Sequence, residues 1–328
     1  MTFISHVQPD PDSIGSMLGL SHLVESTLGI PTRITRDGLI NRAENRAMVE
    51  LLDVDMDPVE KLDYLPDEAV VMVDSQPKTG RHSIDCKVRL YGVIDHHNTP
   101  GDLQGIPFID LRPSLGATCT IVTRYLLEQR VSVPEKIATA LYYGIETEVG
   151  GYPREATQID DGALHFLFPL ANKDLLAQIR NAKLSHGHFE VLLNALQCST
   201  IYDRLMISWM SHIHQPEQVA EVVDFMVRFE KVDWALCGGI YQGKLLLSLR
   251  TSIHNVQAGD LLRKVVGDLG KAGGHDRRAG GCIPLPADNP GAACAIQEEL
   301  RRRMIKELNI HDHCGERLVP LRELLQKL

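Results

Sequence analysis

Four short stretches hold the residues able to do chemistry. SHVQPDPDS (5–13) crowds His6, Asp10 and Asp12 into one turn; VMVDS (71–75) carries Asp74; VIDHH (93–97) carries Asp95, His96 and His97. Imidazoles and carboxylates gathered at the ends of apolar runs make a nitrogen-and-oxygen set suited to a divalent cation. Two neighbouring cations need a carboxylate to bridge them, and Asp74 is the natural bridge. The plainer account is that Asp10 and Asp12 cap a helix, Asp74 ends a strand and Asp95 caps a turn. Any one of these residues fits that account; the whole set fits it far less well. Imidazole with carboxylate favours manganese over magnesium or calcium, which prefer oxygen alone.

KAGGHDRRAGG (271–281), the fourth stretch, sets His275, Arg277 and Arg278 among Gly273, Gly274, Gly280 and Gly281. Glycines let backbone amides approach a phosphate, and clustered N–H groups form an anion nest. Alone, such a segment is usually a turn. Downstream of SLRTS (248–252), whose Arg250 ends an apolar run, it reads as a substrate clamp. A guanidinium there can grip phosphate in a fork or stack on a base.

These residues need a scaffold. TFIS (2–5), AVVMVDS (69–75) and RLYGVIDHH (89–97) read as strands buried on both faces of a mainly parallel sheet. Between them, Ile14, Met17, Leu18, Ser21, Val24 and Leu28 recur at helical spacing up to a stop at Gly29. Further helices are expected at about 116–130 and 134–143. In such α/β sheets ligands bind beyond the carboxyl ends of the strands, where Asp10, Asp12, Asp74, His96 and His97 all fall. A helical connector follows over 157–200. A smaller C-terminal α/β domain spans 201–328, with a hairpin over 234–251 turning at Gln242, Gly243 and Lys244. The first domain is placed at 1–156.

At 328 residues and 44% hydrophobic the chain can bury full cores, and its net charge of −9 argues against coating long duplex nucleic acid. Any polyanion must then meet a local cationic pocket or metal ions. Seven cysteines without a CxxC pair read as reduced thiols of a cytoplasmic protein. No apolar run approaches the roughly 20 residues that span a bilayer, so neither a membrane anchor nor secretion is expected.

HVQPDPDSIGS, VMVDSQP, VIDHHNTP and GGHDRRAGG, in this order, together resemble the DHH phosphoesterase superfamily with its DHH-associated C-terminal domain. The two-domain size is most similar to the NrnA-like branch, which includes oligoribonuclease and 3'-phosphoadenosine-5'-phosphate phosphatase activities. The resemblance implies two-metal hydrolysis of short oligonucleotides, linear dinucleotides or nucleotide 3'-phosphates by activated water, without a covalent nucleophile. It assigns His6, Asp10 and Asp74 to one ion and Asp12, Asp74 and His96 to the other. Asp12 would turn away from Asp10 by strand-like alternation. His97 is expected to donate to the scissile phosphate or leaving oxygen. Arg250, Ser252, Gly273, Gly274 and His275 are expected to bind substrate from the second domain, with the active site in the interdomain cleft. Manganese is the expected ion, magnesium or another divalent ion the alternative. The partners implied are short single-stranded oligonucleotide or nucleotide, and a homodimer is compatible.

Two positions depart from the family pattern. Where relatives carry a metal-binding aspartate after Gly-Ile-x-Thr, this chain reads GIETE (144–148). Glu148 keeps the charge and adds a methylene; its alternatives are a water-mediated contact, ligation by Glu146, or a weakened second site. Only five residues precede His6, so the first strand is expected to be short or partly exposed. Two other function classes compete: a catalytically degenerate nucleotide sensor or replication partner, favoured by GIETE, and a hydrolase of pyrophosphate or polyphosphate. HDHC (311–314) lacks a partner pair for a zinc site, and RRRMIK (301–306) reads as a charged helix face.

Overall fold

A computed structural model of the chain describes residues 1–64, 68–84, 88–98, 101–150, 156–274, 277–286, 291–312 and 314–320. It divides into two units, Met1–Lys183 and Leu184–Leu328.

The first unit runs β1 (Thr2–Ile4), α1 (Pro11–Leu28), β2 (Arg33–Arg36), α2 (Ala43–Leu51), β3 (Asp57–Pro58), β4 (Val70–Val73), β5 (Leu90–Asp95) and β6 (Phe108–Leu111). Helices α3 (Thr118–Glu128), α4 (Glu135–Val149), α5 (Gln158–Leu167) and α6 (Lys173–Arg180) complete it. The strands form one parallel sheet in the order β3-β2-β1-β4-β5-β6. Their unbroken apolar runs have a direct cause: alternate side chains enter cores on opposite faces. Phe3, Val71, Val73 and Ile94 join the large core with Ile14, Met17, Ile121 and Leu141, while Ile4, Val70, Met72 and Val93 pack on the other face. The first strand is short, as expected, but buried throughout, because β2 and β4 flank it.

Helix α1 begins at Pro11 with Asp10 as its N-cap and ends at Gly29 in the left-handed region. It approaches α3 and α4 closely. A Cβ on Gly15 would lie 2.7 Å from the Ala140 carbonyl, and one on Gly144 would lie 2.5 Å from Cys119 Sγ.

The second unit runs α7 (His186–Gln197), β7 (Ser199–Tyr202), β8 (Leu205–His212), α8 (Gln218–Met226), β9 (Trp234–Tyr241), β10 (Lys244–Thr251) and α9 (Ala258–Val266). β11 (Lys271–Gly274), β12 (Arg278–Pro284), α10 (Ala292–Glu307) and β13 (Glu316–Arg317) follow. Its seven strands order as β11-β12-β10-β9-β8-β7-β13, antiparallel except for β8 beside β9. The β9–β10 hairpin turns on Gln242 and Gly243, both at positive φ, the two-residue loop that suits strand twist.

The chain is thus α/β with a helix-flanked parallel sheet and a second sheet unit, as the sequence implies. The 157–200 stretch is shared between the units rather than standing apart. Leu167, Leu176 and Ile179 of α5 and α6 complete the first core, and Ala195 of α7 joins a core of the second unit. The glycines of KAGGHDRRAGG lie in β11 and β12, where they pair in register. Among the described residues no helix is long and apolar enough to cross a membrane.

Candidate metal centre

The carboxyl ends of β1, β4 and β5 bring the acidic turn, Asp74 and the Asp95-His96-His97 triplet together. Asp74 sits at φ +58, a conformation uncommon outside glycine and best tolerated by Asp and Asn. Its carboxylate is 1% exposed and faces two ways. Oδ2 accepts from Ser13 Oγ at 2.6 Å and lies 3.6 Å from His6 Nε2. Oδ1 accepts from Thr118 Oγ1 at 2.8 Å and lies 3.7 Å from His96 Nε2.

On the Oδ2 side, His6 donates from Nδ1 to the Val7 carbonyl at 2.9 Å, since a carbonyl can only accept, and this turns Nε2 toward the carboxylates. Asp10 lies 3.6 Å from that Nε2 through Oδ2, while its Oδ1 accepts from the Ser13 amide at 3.0 Å and caps α1. Capping thus uses one Asp10 oxygen and leaves the other facing His6.

On the Oδ1 side, His96 is fixed in the same way, Nδ1 against the Leu115 carbonyl at 3.1 Å. Its buried Nε2 finds no hydrogen-bond partner among the described residues, and lies 3.8 Å from Asp12 Oδ2 and 3.7 Å from Asp74 Oδ1. A buried ring nitrogen between two carboxylates just beyond hydrogen-bond reach is the kind of position a cation can share. Donors about 3.6 Å apart subtend about 120° at an ion about 2.1 Å from each, so both sides fit a divalent metal.

Asp12 reaches this side for a reason other than the expected strand alternation. It stands in the first turn of α1, and its two oxygens accept the Cys119 and Thr118 amides, each at 2.7 Å. These are unsatisfied N–H groups at the start of α3, which favour a carboxylate. Glu148, in the last turn of α4, is half-buried, and its charge favours protonation of both Asp12 and His96, so it faces the same side. Glu146, its alternative, is engaged by Arg180 at 2.7 and 2.6 Å.

The ion-free electrostatics show a centre short of positive charge. Burial disfavours a charged His6, yet bonding to Asp10 and Asp74 raises it to about 10. His96, opposed by burial in the same way, is raised to about 9 by Asp12, Asp74 and Glu148. Burial, then the charge of Asp74, pushes Asp12 well above the usual carboxylate range; Asp74 itself, against its burial, is held far below that range by His6, His97 and His96. Protons here occupy positions that divalent cations would take.

His97 is placed differently. Its Nδ1 and backbone amide bond Asp95 Oδ1 at 2.8 and 3.1 Å, and Asp95 Oδ2 accepts from Gln76 Nε2 at 2.9 Å. Asp95 is wholly buried and orients the ring rather than standing among the metal-type groups. His97 Nδ1 also lies 3.6 Å from Asp74 Oδ1, so Asp74, His96 and His97 form one metal-type cluster and His6, Asp10 and Asp74 another. Ser13, Thr118 and Gln76 were not legible as site residues, since hydroxyls and amides carry no spacing signal for metal chemistry.

In the second unit Arg250 is 8% exposed, not a surface residue. Its Nε donates to Asp224 Oδ1 at 2.6 Å, and Nη1 to Ser248 Oγ at 2.9 Å and the Leu249 carbonyl at 3.1 Å. Arg250, Ser248, Gly274, Arg278 and Gly280 line a cavity of about 390 Å³. Ser252 is exposed, its amide bonded to the Asp233 carbonyl, and Gly273 lies in β11; neither lines that cavity. His275 lies outside the described residues, as does His313 of HDHC. Arg301, Arg302 and Arg303 pair with Glu298 and Glu299 along α10, the charged helix face expected of RRRMIK.

Residues 1–145 match the model of the DHH family, N-terminal domain. Over 318 residues the chain is 28% identical to an uncharacterized protein of Methanocaldococcus jannaschii, covering 95% of this chain and 65% of that protein. Over 201 residues it is 27% identical to a probable manganese-dependent inorganic pyrophosphatase of Streptococcus agalactiae, covering 57% of this chain and 58% of that protein. The chain thus spans under two thirds of the length of either relative. The crystal structure of an exopolyphosphatase-related protein from Bacteroides fragilis shares the fold at a TM-score of 0.73 and 17% identity, over 94% of this chain and 92% of that one.

Proposed function

We propose that this chain hydrolyses phosphate esters with two divalent cations held in its first unit, and that it acts on short oligonucleotides or nucleotide 3'-phosphates. The observation that carries the reading is the buried Asp74 carboxylate, divided between His6 and Asp10 on one oxygen and His96 and Asp12 on the other. Manganese suits the mixed imidazole and carboxylate donors and is the ion in the printed name of the Streptococcus relative. Bound cations of this kind withdraw charge from phosphoryl oxygens and make a neighbouring water more acidic.

The protein's own part is positioning. Ser13 and Thr118 fix one Asp74 oxygen each. Carbonyls of Val7 and Leu115 hold the two ligand imidazoles with Nε2 forward. Asp95 anchors His97 through Nδ1, leaving Nε2 for the scissile phosphate or the leaving oxygen. The cavity of about 390 Å³ in the second unit falls in the size range of small-ligand sites, and Ser248, Arg250 and Arg278 in its lining are polar groups of the kind that contact phosphate.

A second reading, hydrolysis of pyrophosphate, is favoured by the likeness over 201 residues to the probable pyrophosphatase. One assay separates the two. Chelator-stripped full-length protein is given 5'-phosphorylated diadenylate, 3'-phosphoadenosine-5'-phosphate or pyrophosphate, with and without manganese. Manganese-dependent mononucleotide release supports the ester reading. Faster phosphate release from pyrophosphate than from the nucleotides overturns the substrate, and no turnover of any of them supports a nucleotide sensor that kept its pocket.

A further inference from the structure

We propose that Asp160 of α5 is a positioning residue for one half of the centre: it anchors the segment 115–119 and so sets the affinity of the cation side formed by Asp12, Asp74 and His96. The inference rests on the reading that these residues hold cations.

Those three ligands depend on one short stretch of backbone. Leu115 fixes His96 through its carbonyl, Thr118 fixes Asp74 through its hydroxyl, and the Thr118 and Cys119 amides fix Asp12. The segment contains no acid and no histidine. The other side has separate support, His6 on Val7 and Ser13 and Asp10 on the Ser13 amide.

By sequence, Thr157 and Asp160 form an ordinary capping box, in which the aspartate need only accept the Thr157 amide. Asp160 does more than that. It is wholly buried, and Oδ2 also accepts the Gly116 amide at 3.0 Å while Oδ1 accepts Thr120 Oγ1 at 2.6 Å. These bonds hold both ends of the turn that carries the amides facing Asp12. The contact is close: a Cβ on Gly116 would lie 3.1 Å from Asp160 Oδ2 and 2.4 Å from Val149 Cγ1. A buried carboxylate gripping the turn from behind removes its freedom to drift, and ligand sets lose affinity steeply when the groups behind them loosen, typically 10- to 100-fold.

Asp160→Ala removes both acceptor oxygens and so releases the Gly116 amide and the Thr120 hydroxyl, whereas an asparagine could still accept from Gly116 and donate to Thr120 Oγ1. Manganese chloride is titrated into chelator-stripped full-length protein, followed by calorimetry and by the spin resonance of free manganese. The expected result is two binding events in the wild type, with one weakened at least tenfold in Asp160→Ala and the other within twofold. Thr120→Val, a milder cut of the same support, should weaken the same event by about threefold, on the scale of one lost hydrogen bond. Thr157→Ala removes the cap hydroxyl, with its bond to Asp160 Oδ2 at 2.7 Å, and leaves the Gly116 and Thr120 contacts, so it should lower the melting temperature with both events within twofold of the wild type. Equal weakening of both events, no weakening in either anchoring variant, or the same split pattern in Thr157→Ala overturns the inference. A wild type that binds no manganese removes the proposed function along with it.

Discussion

Replacing Asp74 by asparagine tests the bridge at its centre. The change should leave the fold intact. Asparagine tolerates φ +58 about as well as aspartate, and the hydroxyls of Ser13 and Thr118 can accept as well as donate, so the new N–H₂ group meets an acceptor whichever way it turns. What is lost is specific: one amide oxygen remains where two carboxylate oxygens served His6 and Asp10 on one side and His96 and Asp12 on the other. Only one of the two cation positions then keeps a bridging ligand. A catalytic metal contributes several kcal/mol of transition-state stabilisation, and each 1.36 kcal/mol is tenfold in rate, so losing about 4 kcal/mol lowers kcat by about a thousandfold. The assay pairs manganese stoichiometry with initial rates at saturating manganese on whichever substrate the wild type turns over. A folded Asp74→Asn variant that binds two manganese ions and keeps a tenth of the activity would refute the bridging argument.

The other predictions concern the second side and the sheet edge. Glu148→Gln removes a charge that both Asp12 and His96 sense, and should weaken one manganese event about tenfold, as expected of a ligand or its immediate support; unchanged binding would place Glu148 outside the ion's reach. Asp110 in β6 is pushed up by burial, but bonds from Arg112 and Tyr125 bring it below the usual carboxylate range. Its stabilising contribution is therefore complete above the unfolded value near 3.9 and is lost as the pH falls through the lower folded value. Asp110→Asn should accordingly lower the urea midpoint at pH 6 and have much less effect at pH 3; an equal loss at both would mean that the carboxylate charge is not what stabilises β6.

Much of the scaffold was legible because burial leaves a mark on sequence. Strands covered on both faces read as unbroken apolar runs, and Gln242-Gly243 marked its hairpin because both residues must take positive φ. The glycines of KAGGHDRRAGG show where such marks run out. Glycine signals a turn when read locally, yet here it lies in paired strands against α9, where a Cβ on Gly259 would sit 2.3 Å from the Gly274 carbonyl. Glycine serves close packing there, and only the tertiary structure distinguishes that use from a loop. The division within 157–200 was hidden in the same way, since amphipathic periodicity shows that α5 and α6 bury a face but not which core receives it.

The centre divides along a chemical line. Acids and histidines announce themselves by type, so His6, Asp10, Asp12, Asp74, His96 and His97 stood out as candidates at the strand ends, and the family resemblance divided the ligand candidates among them between two ions. The groups that aim them are hydroxyls, amides and carbonyls, indistinguishable in sequence from ordinary polar residues. Asp12 shows the consequence: it was expected on the second side through strand-like alternation, and it arrives there because the start of α3, 106 residues away, offers it two unsatisfied amides. Helix α3 could not have been assigned that task from its own sequence, because Gly-Ala-Thr-Cys is an unremarked helix entry until α1 lies across it. The close approach of α1 to α3 and α4 depends in turn on Gly15 and Gly144, where a side chain would strike the Ala140 carbonyl or Cys119. The ligands were therefore visible as chemistry, while the reason they converge lies in small residues and backbone amides that only packing brings into register.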